Sequence, residues 1–587
     1  MKIKFSAYSQ IYVIIPILFG FWSMLLGQDR NQDLSAYHLY NGFSFLYNKF
    51  DIDYGVAGLR TYFNPLLDAF FYYFNTHLSP AVFGFFMGFL HGLIFIFILD
   101  IVKIFLKQYQ NQKNLPLIFF VSICCVLTPN FISGLGNSMG DNSTALLNVI
   151  SIWIVFRNWE YFKIINKYSL SMLAFSGLIF GMSVGLKLTN ATYALAFCLS
   201  FLLYPTSKKS KFFLSTIFGI FVLLGILVTS GFWFLKLWEH FQNPIFPFFN
   251  NLFPNPYSNI SIIDNRWGPN NFFEAILWPF IFSIYYHRAG EGLVHQFIWP
   301  FFYLLLVLSV INKIAKSYLY NINNKLDQKS IFLISFVVIA FILWMTLFSL
   351  QRYLVTIELF VPLAILLLLI QFFSFQRGVK IYRKLSALSL FLILFGGFGT
   401  WGHSRWTSPP FHADIPQLKN SNESTVFLTN QGVDLSWIVT QFPNDLSFVK
   451  LGLLKDYDVK KYLYVIFPGA LNWRINNVRK WEAILNKIGL LDSISKCAFV
   501  DDLIKTVKFR GKLVWNKTTS NNLCHLEIRD IDYVNIEQAD NLIINKNQFE
   551  LSKHKLTLNR QSCVNYRANI GGQEWSYIFC NVNKSEK

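Results

Sequence analysis

Long apolar runs separated by polar connectors dominate the first 400 residues of the chain. Eleven runs carry little or no charge: 8–27, 81–102, 115–131, 143–156, 169–186, 190–204, 212–234, 293–311, 331–350, 353–372 and 385–402. About 20 mainly apolar residues cross roughly 30 Å of hydrocarbon as a helix. The pattern therefore predicts an α-helical polytopic membrane domain over 1–402 with about eleven transmembrane helices. The first run follows Met1 and Lys4 and has no small-residue cleavage site before Gln28 and Asp29, so it reads as a retained anchor rather than a removed signal. Two connectors are long, about 28–80 and 235–290. Within the second, 272–287 is apolar but short and carries Glu274 and Pro279, which predicts an interfacial segment.

From 403 onward the periodicity changes. Strand-like runs occur at 425–429 and 461–467, helical spacing at 473–491, and alternation returns over 555–583. This predicts a soluble α/β or α+β domain over 403–587.

Composition agrees with the division, since 53% hydrophobic, 18% aromatic and 14% charged residues are far from the balance of a soluble chain. The net charge of +19 changes the picture once it is mapped. Nineteen Lys and Arg lie in alternate connectors (2–4, 103–113, 157–167, 208–211, 313–329 and 377–384). Eight occupy the other face: Arg30, Lys49, Arg60, Lys187, Lys236, Arg266, Arg288 and Arg352. Cytoplasmic connectors carry the positive excess, which orients the chain with its N-terminus cytoplasmic and the C-terminal domain extracytoplasmic. It also makes 169–204 cross twice, turning near Lys187. The basic balance is thus mostly topology, which leaves a nucleic-acid partner with little support.

Three of the seven cysteines (Cys124, Cys125, Cys198) fall in predicted spans, and Cys497, Cys524, Cys563 and Cys580 fall in the C-terminal domain. Four cysteines allow three pairings. An exported domain favours two disulfides between sequence-local partners, the alternative being four unpaired core thiols.

Polar residues beside hydrocarbon are costly and tend to mark function, and here they collect on one predicted face. The connector after the first run reads GQDRNQDLSAYHLYNGF, and others read GLGNSMGDNSTALL, GLKLTNATY, WEHFQNPIFPFFN and LQRYL. This arrangement resembles the GT-C class of integral membrane glycosyltransferases, whose first extracytoplasmic loop bears an acidic residue shortly after helix one. The segment Asp33-Leu-Ser-Ala-Tyr37-His38 looks like the opening of that loop. Asp141, Lys187, the segment from Asn243 to Asn250, and Arg352 with Tyr353 are similar in order and sidedness to bacterial relatives over 1–400. The C-terminal domain carries no such likeness.

The resemblance implies a bacterial inner-membrane enzyme that takes a sugar from a polyprenyl-phosphate donor to an acceptor hydroxyl on a lipid, glycan or protein. Asp33, or else Asp29, would be the base, because a carboxylate within hydrogen-bond reach can take the hydroxyl proton. Tyr37, His38, Asp141, Lys187, Asn243, Arg352 and Tyr353 would bind substrate, with the cations of Lys187 and Arg352 stabilising the departing phosphate. The duller readings are a helix N-terminal carboxylate for Asp141 and interfacial anchors for Lys187 and Arg352. Whether a divalent metal assists stays open, and no spacing suggests a zinc site. A transporter or flippase, or a polysaccharide polymerase or ligase acting on lipid-linked glycans, is the alternative.

Overall fold

The computed structural model describes residues 7–107, 115–253, 266–314, 326–430, 434–453, 459–471, 473–506, 509, 511–515, 523–528 and 535–585. Of the nineteen basic positions counted above, Lys2, Lys4, Lys113, Lys316 and Lys325 lie outside these residues. The chain divides into two compact units, Met1–Asp51 with Ala57–Pro410, and Ile52–Val56 with Phe411–Lys587.

The first unit is helical. Among the described residues, four helices are long and apolar enough to cross a membrane: Pro80–Leu106, Lys167–Leu186, Lys208–Phe241 and Gln328–Leu347. A fifth span results if Gln351–Glu358 and Val361–Phe372, bent by 55°, count as one. Eleven spans are not observed. The expected run at 8–27 is the helix Ala7–Leu26, and the runs at 115–131, 190–204 and 293–311 hold, among the described residues, the shorter apolar helices Leu115–Val126, Leu188–Leu203 and Ile298–Asn312. Leu188–Leu203, at 1.5 Å per residue, reaches only about 24 Å, short of the roughly 30 Å of hydrocarbon. The run at 143–156 belongs to helix Asp141–Arg157, whose Asn142, Asn148 and Ser151 are buried among neighbouring helices. The run at 385–402 is the end of helix Phe375–Leu392, which gives way to a π-turn at Ile393–Gly397. The segment expected to be interfacial contains the apolar helix Phe272–Ile284.

Helix starts follow local chemistry. Asn166 and Ser169 form a capping box on Lys167–Leu186, Ser207 caps Lys208–Phe241 and Asp327 caps Gln328–Leu347. Two close helix pairs depend on glycines spaced by four. Gly177, Gly181 and Gly185 press against Lys208–Phe241, where a Cβ at Gly181 would stand 2.0 Å from the Val222 carbonyl oxygen. Gly88 and Gly92 meet the first helix, where a Cβ at Gly88 would lie 2.4 Å from the Phe19 carbonyl oxygen. Small residues let helix backbones approach where lipid offers no hydrophobic drive to associate. The opposite face of Lys208–Phe241 exposes Leu223, Leu227, Val228 and Leu235, an apolar surface that acyl chains would cover.

Two short strands close this unit: β1 (Gln28–Asp29) pairs antiparallel with β2 (His403–Ser404). The chain up to Pro410, Ile52–Val56 apart, belongs to this unit.

The second unit is sheet-rich, built on a mixed seven-stranded sheet. Its strands are β3 (Phe411–Ala413), β4 (Ser424–Leu428), β5 (Ser447–Lys450) and β6 (Tyr462–Pro468), then, beyond the separate hairpin β7 (Gly511–Trp515) and β8 (Cys524–Ile528), β9 (Leu556–Leu558), β10 (Val564–Ile570) and β11 (Gln573–Lys584). The order is β3-β10-β11-β6-β4-β5, with β9 also on β11. β4 runs parallel to β5 and β6, while β11 is antiparallel to β6. Residues 52–56, expected in the first long connector, join this unit because their backbone covers the edge of β5. Tyr54 N–H donates to the Phe448 carbonyl (2.8 Å), and Lys450 N–H donates to Tyr54 (2.9 Å). The sequence-local disulfides form, Cys497–Cys524 and Cys563–Cys580.

Candidate functional site

The first helix ends at Leu26, and Gly27, at φ +103°, turns the chain onto β1 where the Ser404 carbonyl leaves no room for a side chain. Asp29 follows with both oxygens engaged. Asn31 donates from its backbone (3.1 Å) and side chain (2.9 Å), and Ser138 donates from its backbone (2.8 Å) and hydroxyl (2.7 Å). At 5% exposure, Asp29 ties the start of the connector to the loop before helix Asp141–Arg157 and offers no free oxygen for proton transfer.

The next turn, Leu34–His38, is a π-helix with Asp33 at its N-cap. Such widened turns recur at functional sites. Asp33 Oδ2 accepts from Arg352 Nη1 at 2.6 Å, and each side chain is 15% exposed. Burial pushes the Asp33 carboxyl up, but Arg352, helped by His38 and Lys187, outweighs it and holds the pKa at about 2. Asp33 is therefore ionised at neutral pH.

A second ion pair stands beside the first. Asp141, the first residue of its helix after Gly140 (φ +84°), pairs with Lys187 Nζ at 2.7 Å, and Lys187 also donates to the Met139 carbonyl at 2.8 Å. Tyr353 lies between the pairs. Its ring centroid is 5.4 Å from Lys187 Nζ and 5.2 Å from the Arg352 guanidinium, and its hydroxyl is 3.4 Å from Arg352 Nη2. The Arg352 guanidinium also lies 5.8 Å from the Trp401 ring.

On the other side, His38 Nδ1 meets Asp68 Oδ1 at 2.6 Å, leaving a buried Nε2 with no hydrogen-bond partner among the described residues. Burial holds the Asp68 carboxyl above its ordinary pKa despite His38. Tyr37, its hydroxyl kept protonated by burial and by the Asp33 charge, packs 4.1 Å from the His38 ring and 5.7 Å from Phe63.

The sequence-predicted residues Asp33, Arg352, Tyr353, Lys187 and Asp141 thus form one chain of contacts, with Tyr37 and His38 adjoining. Asn243 stands apart. Fully buried, it organises its own turn through the Phe248 carbonyl (2.9 Å) and Asn250 (2.8 Å). That turn carries Phe248, stacked on Phe63 at 5.4 Å.

Sequence reasoning missed the scaffold one helical turn deeper. Asn148 donates to Asn190 Oδ1 (2.8 Å) and Thr356 Oγ1 (2.9 Å) and accepts from the Ser183 hydroxyl, while Asn190 donates to Thr144 Oγ1 (3.0 Å). Thr144, Asn190 and Thr356 lie three or four residues beyond Asp141, Lys187 and Arg352, so this network fixes the backbones that carry both ion pairs. Their signal was a set of polar residues at helical spacing inside apolar runs. Glu358 was missed as well. Fully buried, it accepts from Asn130 N–H (3.0 Å), Asn130 Nδ2 (2.5 Å) and Gln296 Nε2 (2.9 Å). A lone carboxylate in an apolar run is itself a marker.

Among the described residues, no group of three or more His, Cys, Asp or Glu side chains could hold a metal ion. Compared with known proteins, the chain matches no family model, no curated protein and no solved structure.

Proposed function

We propose that the chain is a membrane glycosyltransferase that moves a sugar from a polyprenyl-phosphate donor to an acceptor hydroxyl. The observation that carries this reading is the double ion pair Asp33–Arg352 and Asp141–Lys187 sharing Tyr353 at one end of the helices. Partly buried charges are expensive unless matched, and a set that is neutral overall yet holds two cations suits an anionic group that can compete for them.

In this reading the donor phosphate draws Arg352 away from Asp33. The released carboxylate rises toward its ordinary pKa and becomes a better base. The acceptor oxygen then attacks the anomeric carbon and its proton passes to Asp33. The bond from anomeric carbon to phosphate oxygen breaks with the electron pair leaving on polyprenyl phosphate, which Arg352 and Lys187 stabilise. The charge bias and the two disulfides support an N-terminus in the cytoplasm, with site and C-terminal unit on the oxidising, extracytoplasmic side of a bacterial inner membrane.

Transfer of radiolabelled sugar from a panel of polyprenyl-phosphate sugars to host glycolipids tests the proposal. Purified wild type is expected to transfer, and Asp33→Asn to lose activity while staying folded. Loss in His38→Gln but not Asp33→Asn would move the base to the unpaired Nε2. No transfer from any donor would sink the enzyme reading. The second reading, transport, is favoured by the buried Glu358, since intramembrane carboxylates mark ion and substrate pathways. It predicts substrate flux that Glu358→Gln abolishes.

A further inference from the structure

Glu358 lies where the ends of several helices of the first unit meet, and the transfer chemistry does not use it. Thr128 separates Leu115–Val126 from the short helix Pro129–Ser133. Gln296 lies just before Ile298–Ile314. Glu358 itself ends Val355–Glu358, where the chain bends by 55° into Val361–Phe372. At membrane depth, interrupted helices persist only where protein or a ligand takes up the freed polar groups, and such breaks hold the coupling ions of transporters.

The hydrogen-bond partners of Glu358 are all neutral. Glu358 and Gln296 are fully buried, and Asn130 and Thr128 are 3% and 1% exposed. Glu358 Oε1 accepts from the Asn130 backbone N–H at 3.0 Å, and Oε2 accepts from the side-chain amides of Asn130 and Gln296 at 2.5 and 2.9 Å. The Thr128 hydroxyl turns to the same carboxylate. Among the described residues, no Lys, Arg or His pairs with it. A buried carboxylate held only by neutral donors keeps its full negative charge in a dry site, which is expensive unless a positive charge joins it.

The two amides indicate what joins it. Both turn N–H toward Oε2, and the oxygens on their far sides, Asn130 Oδ1 and Gln296 Oε1, are buried with no hydrogen-bond partner among the described residues. Two orphaned acceptors on side chains that share one carboxylate oxygen are a substantial cost. Turning each amide by half a rotation exchanges its nitrogen for its oxygen in the same place. That brings two carbonyl oxygens beside the carboxylate, and oxygens gathered so closely repel one another unless a cation lies among them.

We infer that Glu358, Asn130, Gln296 and Thr128 bind one sodium ion, the two amides turning their oxygens inward as it enters. One carboxylate balances one positive charge, which favours a monovalent ion, and a set of carboxylate, carbonyl and hydroxyl oxygens is the donor chemistry of hard cations. The close spacing suits sodium rather than the larger potassium ion. The site does not depend on the sugar-transfer reading.

The test is binding of radioactive sodium to the full-length protein, purified in detergent with choline as the only other cation, by scintillation proximity. Wild type is expected to bind saturably, with unlabelled sodium displacing the label at least about tenfold more effectively than potassium. Glu358→Gln, nearly the same shape, should fold and lose binding. Gln296→Met keeps the volume, removes one oxygen and should weaken binding about tenfold. At constant ionic strength, sodium should raise the melting temperature of wild type and leave that of Glu358→Gln unmoved. No saturable binding by wild type, displacement by potassium as readily as by sodium, or affinity unchanged in Glu358→Gln or in Gln296→Met would each overturn the inference.

Discussion

The pairing of Asp33 with Arg352 can be measured by a double-mutant cycle of Asp33→Asn, Arg352→Gln and the double variant. Asp33→Asn strands a guanidinium that is only 15% exposed, and Arg352→Gln strands the carboxylate. The magnitude follows from the Asp33 carboxyl, whose pKa falls from 3.8 to about 2 after Arg352 has overcome the burial that raises it. That difference corresponds to about 2 kcal/mol of stability from the ionised form. Because the folded-state pKa is depressed, this contribution is fully present above the unfolded value near 3.8 and is lost as pH falls through about 2. Unfolding by SDS titration in mixed micelles is the assay. At pH 7 each single variant is expected to lose about 2–3 kcal/mol, and the double variant about 2 kcal/mol less than their sum, since no orphaned charge remains. The gap between wild type and Asp33→Asn should hold from pH 8 to 5 and shrink below about pH 4. A cycle additive within ~0.5 kcal/mol, or a gap indifferent to acid, would refute the argument.

Three further outcomes follow from other contacts. Asp29→Ala should lower stability by about 3 kcal/mol, because it leaves the Ser138 and Asn31 N–H groups unpaired; a thermal shift in nanodiscs would reveal it, and an unchanged melting temperature would show that the clamp is dispensable. Asn148→Leu should cost about 2–4 kcal/mol by stranding Asn190, Thr356 and Ser183, and it should weaken the Asp141–Lys187 coupling in a cycle run on that background. Replacing Cys497 and Cys524 together by Ser opens a loop spanning 27 positions and should destabilise the C-terminal unit by about 3 kcal/mol. Limited proteolysis within 411–587 would register the change, and a digestion pattern there identical to wild type would refute it.

The sequence by itself determined where apolar helices form, which polar residues interrupt them, that a sheet-bearing unit follows, and that pairing between sequence-local cysteines is favoured. Each rests on local information: hydropathy over one helix length, a period of two or 3.6, a cap, a short separation. It overstated the number of spans because composition in a window does not register where a helix breaks. Thr128 before Pro129 starts a new short helix, and Pro362 at the first turn of Val361–Phe372 accompanies the 55° bend. It gave no sign that the helix over 143–156 is packed among others, with Asn148 and Ser151 fully buried. Only the tertiary structure decided that Asp33 faces Arg352 across 319 positions of chain, that Asp29 is a clamp, that Asn190 and Thr356 brace the cations above them, and that residues 52–56 complete the edge of β5. These are long-range pairings set by packing and hydrogen-bond satisfaction, and a pattern along one segment carries no record of its partner.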